Sequence, residues 1–73
     1  MDFQEKLLQF GKNIRELREK AGLSTEELSK ISGINKRYIE KIERGQAKRI
    51  KCYYVFIFVE TLNITIEELL KDI

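Results

Sequence analysis

The chain has 73 residues, 42% of them apolar and 36% charged, with 14 Lys+Arg, 12 Asp+Glu, no His, no Pro and one Cys. A chain this short makes one small domain that buries only about 60% of its unfolded surface, and its composition is neither disordered nor membrane-spanning. The lone Cys52 excludes an internal disulfide and a cysteine-rich zinc site, and the absence of His excludes imidazole chemistry, so an enzyme is not expected and no metal or cofactor is expected either.

The N-terminus, Met1-Asp2-Phe3-Gln4-Glu5, is polar and acidic, unlike a signal peptide. With the longest apolar run, Cys52 to Val59, far short of the ~20 residues that span a bilayer, a soluble cytoplasmic protein is expected. Phe3, Leu7, Phe10, Ile14, Leu17 and Ala21 alternate steps of four and three, which predicts a first helix from about residue 3 to 20, ended by Gly22. Gly11 interrupts it at a cost of ~1 kcal/mol relative to Ala.

Ser24 with Glu27 three residues on forms a capping box, and Leu23 and Leu28 are placed to staple across it. This predicts a second helix, Thr25 to Ser32, closed by Gly33. Asn35 then caps a third, from about residue 36 to 44, with Ile34 facing Ile39 in the same staple spacing and Gly45 as the stop. Residues 50–62 are β-branched and aromatic, which favours a strand, but they do not alternate. Cys52, Val55, Val59 and Leu62 fall at helical spacing, so a fourth helix is predicted, with Cys52 as a small core residue. It is apolar nearly all round, and Tyr53, Tyr54, Ile57 and Phe58 are left over once one face is buried. Such a surplus often marks a protein contact. Thr65 and Glu68 repeat the capping box, with Ile64 and Leu69 as staple, and predict a last helix.

Charge is unevenly placed. Residues 36–51 hold seven basic residues (Lys36, Arg37, Lys41, Arg44, Lys48, Arg49, Lys51) and two acidic ones (Glu40, Glu43), a local net of +5, while the rest of the chain sums to −3. A basic segment on a slightly acidic body fits either a nucleic-acid footprint or a solvated face.

Two short helices joined through Gly33 make a helix-turn-helix pattern. The small Ser29 faces the partner helix, Gly33 tolerates φ > 0, and Leu28, Ile31, Ile34, Ile39 and Ile42 pin the crossing. One face of helix 3 stays free and carries Lys36, Arg37, Glu40, Lys41 and Arg44; its first turn would enter a major groove.

The stretches Ile14-Arg15-Glu16-Leu17-Arg18-Glu19-Lys20-Ala21-Gly22-Leu23-Ser24, Glu26-Glu27-Leu28, Gly33-Ile34, Tyr38-Ile39 and Lys41-Ile42-Glu43-Arg44-Gly45, with Leu62 to Leu70, resemble a lambda repressor/Cro-type (XRE family) helix-turn-helix domain. The resemblance implies an all-α, five-helix bundle over residues 1–73, with its helix-turn-helix at about 24–44 and no effector domain. It puts base-reading positions on Thr25, Lys36, Arg37 and Lys41, with Glu40 nearby, and phosphate contacts on Gln46, Lys48, Arg49 and Lys51, with Arg44 before them. Thr25 departs from the Gln of many relatives and reaches less far. Arg18 and Glu43 match a family pair that fixes helix 3.

The function implied is a DNA-binding transcriptional regulator that occupies a palindromic operator as a homodimer on double-stranded DNA, with no membrane or small-molecule ligand. The dimer interface is expected at Tyr54, Ile57, Phe58, Ile66, Leu70 and Ile73. The competing reading is a protein-interaction module, such as an antitoxin-like or anti-regulator protein, that uses the apolar helix 4 face.

Overall fold

Side-chain caps start four of the five helices, all but the fourth, in the computed structural model, which describes residues 1–73. The helices are α1 (Phe3–Lys20), α2 (Thr25–Ser32), α3 (Lys36–Glu43), α4 (Cys52–Leu62) and α5 (Ile66–Leu69), with no strand. Both expected capping boxes form: the Ser24 hydroxyl accepts from the Glu27 amide at 3.0 Å while the Glu27 carboxylate accepts from the Ser24 amide at 2.9 Å. Those bonds hold the Glu27 carboxyl below its ordinary pKa, the Ser24 amide contributing most. Thr65 and Glu68 reproduce the box at α5, and Asp2 with Glu5 makes a third at α1. Gly22, Gly33 and Gly45 take φ of +75°, +75° and +72°, the left-handed conformation that ends helices. No helix is long and apolar enough to cross a membrane.

The core gathers Phe10, Ile14, Leu28, Ile34, Ile39, Ile42, Ala47, Phe58, Leu62 and Leu69, so every helix contributes at least one side chain. α1 lies across α3, α2 and α3 form the helix-turn-helix, α4 packs on α2 and α1, and α5 closes against α1 and α4. Gly11 explains itself at the α1–α3 crossing: a Cβ there would sit 2.1 Å from the Ile42 carbonyl oxygen and 2.8 Å from that of Glu43. A second tie is polar. Buried Asn13 donates to the carbonyls of Leu69 (2.9 Å) and Lys71 (2.8 Å) and accepts from Gln9 (2.9 Å), which pins the end of α5 to α1.

Three expectations are corrected. Cys52 is exposed rather than in the core, and Phe58 is 0% exposed at the centre of the buried face of α4. The core-facing side of α4 therefore keeps Val55, Val59 and Leu62 of the expected stripe but is centred on Phe58, with Cys52 outside it. Because α4 is apolar nearly all round, only its packing against α2 and α1 decides which face turns inward. Ile31 is 58% exposed and does not pin the helix crossing. The inward face of α2 is set by Thr25, Leu28, Ser29 and Ser32, spaced i, i+3, i+4 and i+7, and Ile31 lies off it.

Gly11→Ala should destabilise the protein by about 1–3 kcal/mol although Ala is the better helix former, because the added methyl has backbone against it. Lys12→Ala, on the exposed side of the same turn, should stay within about 0.5 kcal/mol of the parent. Urea denaturation followed by circular dichroism measures both.

Candidate nucleic-acid interface

The α2–α3 unit is built so that one helix face is spent on packing and the other is left free. Ile39 and Ile42 of α3 are buried, as is Ile34 in the turn before it. Ser29 donates its hydroxyl to the Ile34 carbonyl at 2.6 Å, so the small residue at this position also closes the turn. Asn35 caps α3 by accepting from the Arg37 amide at 2.8 Å. With its packing face fixed, α3 turns Lys36, Arg37 and Lys41 to solvent, with Glu40 half-buried and Arg44 exposed at the C-cap. Thr25 is half-buried at the first position of α2.

The cations are not neutralised by the protein's own carboxylates. The ion pairs present are Arg15–Glu19, Arg18–Glu43 and Lys30–Glu26, so Glu40 holds none of Lys36, Arg37 or Lys41. α1, α2 and α5 each carry Glu in the first turn, where the helix dipole favours an anion, whereas α3 starts with two cations. That arrangement opposes local stability and leaves a positive helix end facing solvent.

Residues 44–51 continue the basic surface as an irregular loop. Gln46, Lys48, Arg49 and Lys51 are exposed, while Gly45 and Ala47 are buried. Gln4 donates to the Gly45 carbonyl at 3.1 Å, and Gly45 rests on Leu8, where a Cβ would lie 2.6 Å from Leu8 Cδ2. Arg44 Nε donates to Gln46 Oε1 at 3.3 Å. The Tyr38 hydroxyl donates to the Arg49 carbonyl, and its ring meets that of Tyr54 at 5.4 Å between centroids. Tyr53 meets Tyr54 as a tilted pair, 4.7 Å between centroids and 57° between planes, and the Lys51 ammonium lies 6.0 Å from the Tyr53 ring centre. Sequence reasoning found no role for Gln4 or Leu8, and none for Tyr38 beyond its place in the motif. Their partners lie in other elements, and no local pattern marks them.

Arg18 and Glu43 form a two-point pair, Nε to Oε2 at 2.7 Å and Nη2 to Oε1 at 3.1 Å, with side chains only 11% and 8% exposed. The remaining Arg18 donor, Nη1, reaches the Leu23 carbonyl at 2.8 Å. The hydrogen bonds with Glu43 raise the Arg18 pKa, outweighing the opposing effect of burial. The pair ties α1, the α1–α2 turn and the last turn of α3 together.

The residues expected at a dimer interface divide. Phe58 is sealed in the core and cannot contribute. Ile66, Leu70 and Ile73 are exposed, Tyr54 and Ile57 half-buried, and Tyr53 and Phe56 are the most exposed aromatics of α4.

A family model described as a helix-turn-helix domain matches residues 9–69. Among solved structures, the chain is similar to the restriction-modification controller protein C.AhdI from Aeromonas hydrophila, with 36% identity and a TM-score of 0.80. That match covers 86% of this chain and 94% of the controller protein. No curated relative matches.

Two variants separate the structural from the exposed charges. Arg18→Met strands a buried carboxylate and should destabilise by about 3–5 kcal/mol in chemical denaturation. Lys36→Glu should instead stabilise by about 0.3–1 kcal/mol, because it places an anion at the N-terminus of α3.

Proposed function

The chain belongs to the helix-turn-helix domain family, in its lambda repressor/Cro (XRE) form, and on that premise we propose that this DNA-binding regulator occupies a palindromic operator as a homodimer. In this reading residues 1–73 act as one DNA-binding domain in the cytoplasm, with α3 in the major groove. The observation that carries it is the run of unpaired cations Lys36, Arg37 and Lys41 on the free face of α3, continuous with Lys48, Arg49 and Lys51 in the loop that follows.

The division of labour follows from what each group reaches. Arg37 and Lys36, at the leading turn of α3, donate to guanine O6 and N7, and a good bidentate pair discriminates by about 1–3 kcal/mol. Lys41 sits one turn further on the same face. Thr25 and Glu40 border that surface, and Glu40, free of an ion pair, can accept from cytosine N4. Arg44, Gln46, Lys48, Arg49 and Lys51 meet phosphates and supply affinity without sequence preference. A short helix reads few bases, so two copies over half-sites about one helical turn (~34 Å) apart supply the missing specificity. Tyr54, Ile57, Ile66, Leu70 and Ile73 are the proposed dimer contacts, joined by exposed Tyr53 and Phe56. The likeness to a restriction-modification controller protein supports a role in regulating transcription at such an operator.

Selection from a random DNA pool, followed by gel shift at two salt concentrations, tests this. An enriched inverted repeat bound less tightly at high salt is expected; no enrichment, or salt-independent binding, overturns the reading. Arg37→Ala should relax preference at one base position per half-site, whereas Lys48→Ala should weaken all sequences alike and lower the salt slope by about 1. Sedimentation of the free protein should give a dimer, and a stable monomer at micromolar concentration would count against the homodimer.

A further inference from the structure

We infer that Tyr38 is a positioning residue that locks the loop of residues 44–51 to α3, so that the base-reading and phosphate-binding cations meet DNA as one rigid unit. The inference rests on the DNA-binding reading and adds to it the device that sets the distance between its two halves.

The loop needs such a device. Its first half is well held: Gly45 is trapped between Gln4 and Leu8, and Ala47 is buried in the core. Its second half carries Lys48, Arg49 and Lys51, and no backbone amide from Ala47 to Tyr53 donates to the protein. Between Gln46 and the Lys51 carbonyl, which accepts from Tyr54 at the start of α4, the bond from the Tyr38 hydroxyl to the Arg49 carbonyl is the only hydrogen bond to this stretch. Ile50 packs against the core beside it. Tyr38 starts from α3 itself, one position after Arg37 and three before Lys41. Its ring leans on Tyr54, Tyr54 on Tyr53, and Tyr53 lies under the Lys51 ammonium, so the same side chain is also the first member of an aromatic row that ends on the loop's last cation. Burial pushes the Tyr38 hydroxyl above the ordinary tyrosine pKa.

The geometry explains why a tyrosine suits this place. Phenylalanine would keep the ring contact with Tyr54 but could not hold the Arg49 carbonyl. Without that bond the chain around Arg49 is tethered only by Ile50 and by whatever it binds. Cations on the freed stretch would then no longer be held where the phosphates lie, so one or two of those contacts are lost, which lowers affinity for every sequence and leaves base preference alone.

Tyr38→Phe removes one oxygen and tests this directly on the full chain with its selected operator. The variant is expected to fold, to keep the parent's base preference, to bind about two- to tenfold more weakly at fixed salt, and to show a log–log salt slope smaller by about 1–2, as when one or two phosphate contacts are lost. Arg49→Ala should weaken the parent more than it weakens Tyr38→Phe, because the loop contact is already impaired there. A merely structural tyrosine would lower the melting temperature and leave the slope of the folded fraction unchanged. An unchanged slope, full additivity with Arg49→Ala, or a variant that does not fold overturns the inference while the DNA-binding reading stands. Parent protein that binds no sequence overturns both.

Discussion

The close approach of α1 to the last turn of α3 is the constraint from which the rest of the arrangement follows. Gly11 removes the only side-chain atom that would stand between the helices, where a Cβ would meet the Ile42 carbonyl at 2.1 Å. A glycine inside a helix costs about 1 kcal/mol of intrinsic helix preference, and here that loss is offset by packing no other residue permits. From this crossing α1 reaches α3 and its loop at three further points. Ile14 enters the core beside Ile39 and Ile42, Arg18 grips Glu43, and Leu8 and Gln4 hold Gly45. α1 thus presents no cation of the proposed surface, yet it fixes the direction of α3 and the start of the loop that carries the rest.

Charge is handled in two opposite ways on either side of α3. On the buried side Glu43 is met by three-pronged Arg18, and no buried side-chain polar atom lacks a partner. Such a pair contributes little net stability against a well-packed apolar alternative, but it admits only one geometry, because any shift leaves a desolvated charge. On the outer side Lys36 and Arg37 sit at a helix N-terminus with no anion to balance them. A sequence selected for stability alone would place Glu there, as α1, α2 and α5 do. α3, which opens on two cations where those three helices carry Glu, is the helix proposed to meet a polyanion. That is where a local rule should fail if function is the reason.

What could be read from the sequence was set by how local each determinant is. Ser24 with Glu27, Thr65 with Glu68, and Asn35 act within three residues, so the helix boundaries and the order of the five elements were legible. So was the free face of α3, because its packing residues, Ile39 and Ile42, stand out among polar neighbours. α4 was legible as a helix but not in its orientation. With Tyr54, Val55, Ile57, Phe58 and Val59 all apolar, any face could turn inward, and contacts with other helices chose Phe58 over Cys52. For the same reason the expected interface lost Phe58. Gly11, Asn13 and Tyr38 were opaque because their partners lie 31, 56 and 11 residues away. Nothing in a single sequence connects Asn13 to the carbonyl of Leu69.

A domain of this size has little core with which to hold an irregular segment, and the loop after α3 shows how few ties suffice when each is placed at a different point. Gly45 is fixed by contact with Leu8, Ala47 by burial, Ile50 by packing, and Arg49 through its carbonyl. Between these points the side chains of Lys48, Arg49 and Lys51 are free to face outward. Ordering a flexible segment on binding consumes interaction energy that would otherwise appear as affinity. A loop ordered beforehand by backbone ties keeps that energy while leaving its cationic side chains adaptable along a phosphate backbone. Rigidity of the main chain and freedom of the side chains are therefore complementary here. The basic stretch whose charge alone fitted either a nucleic-acid footprint or a solvated face is tied at these points to α1, to α3 and to the core.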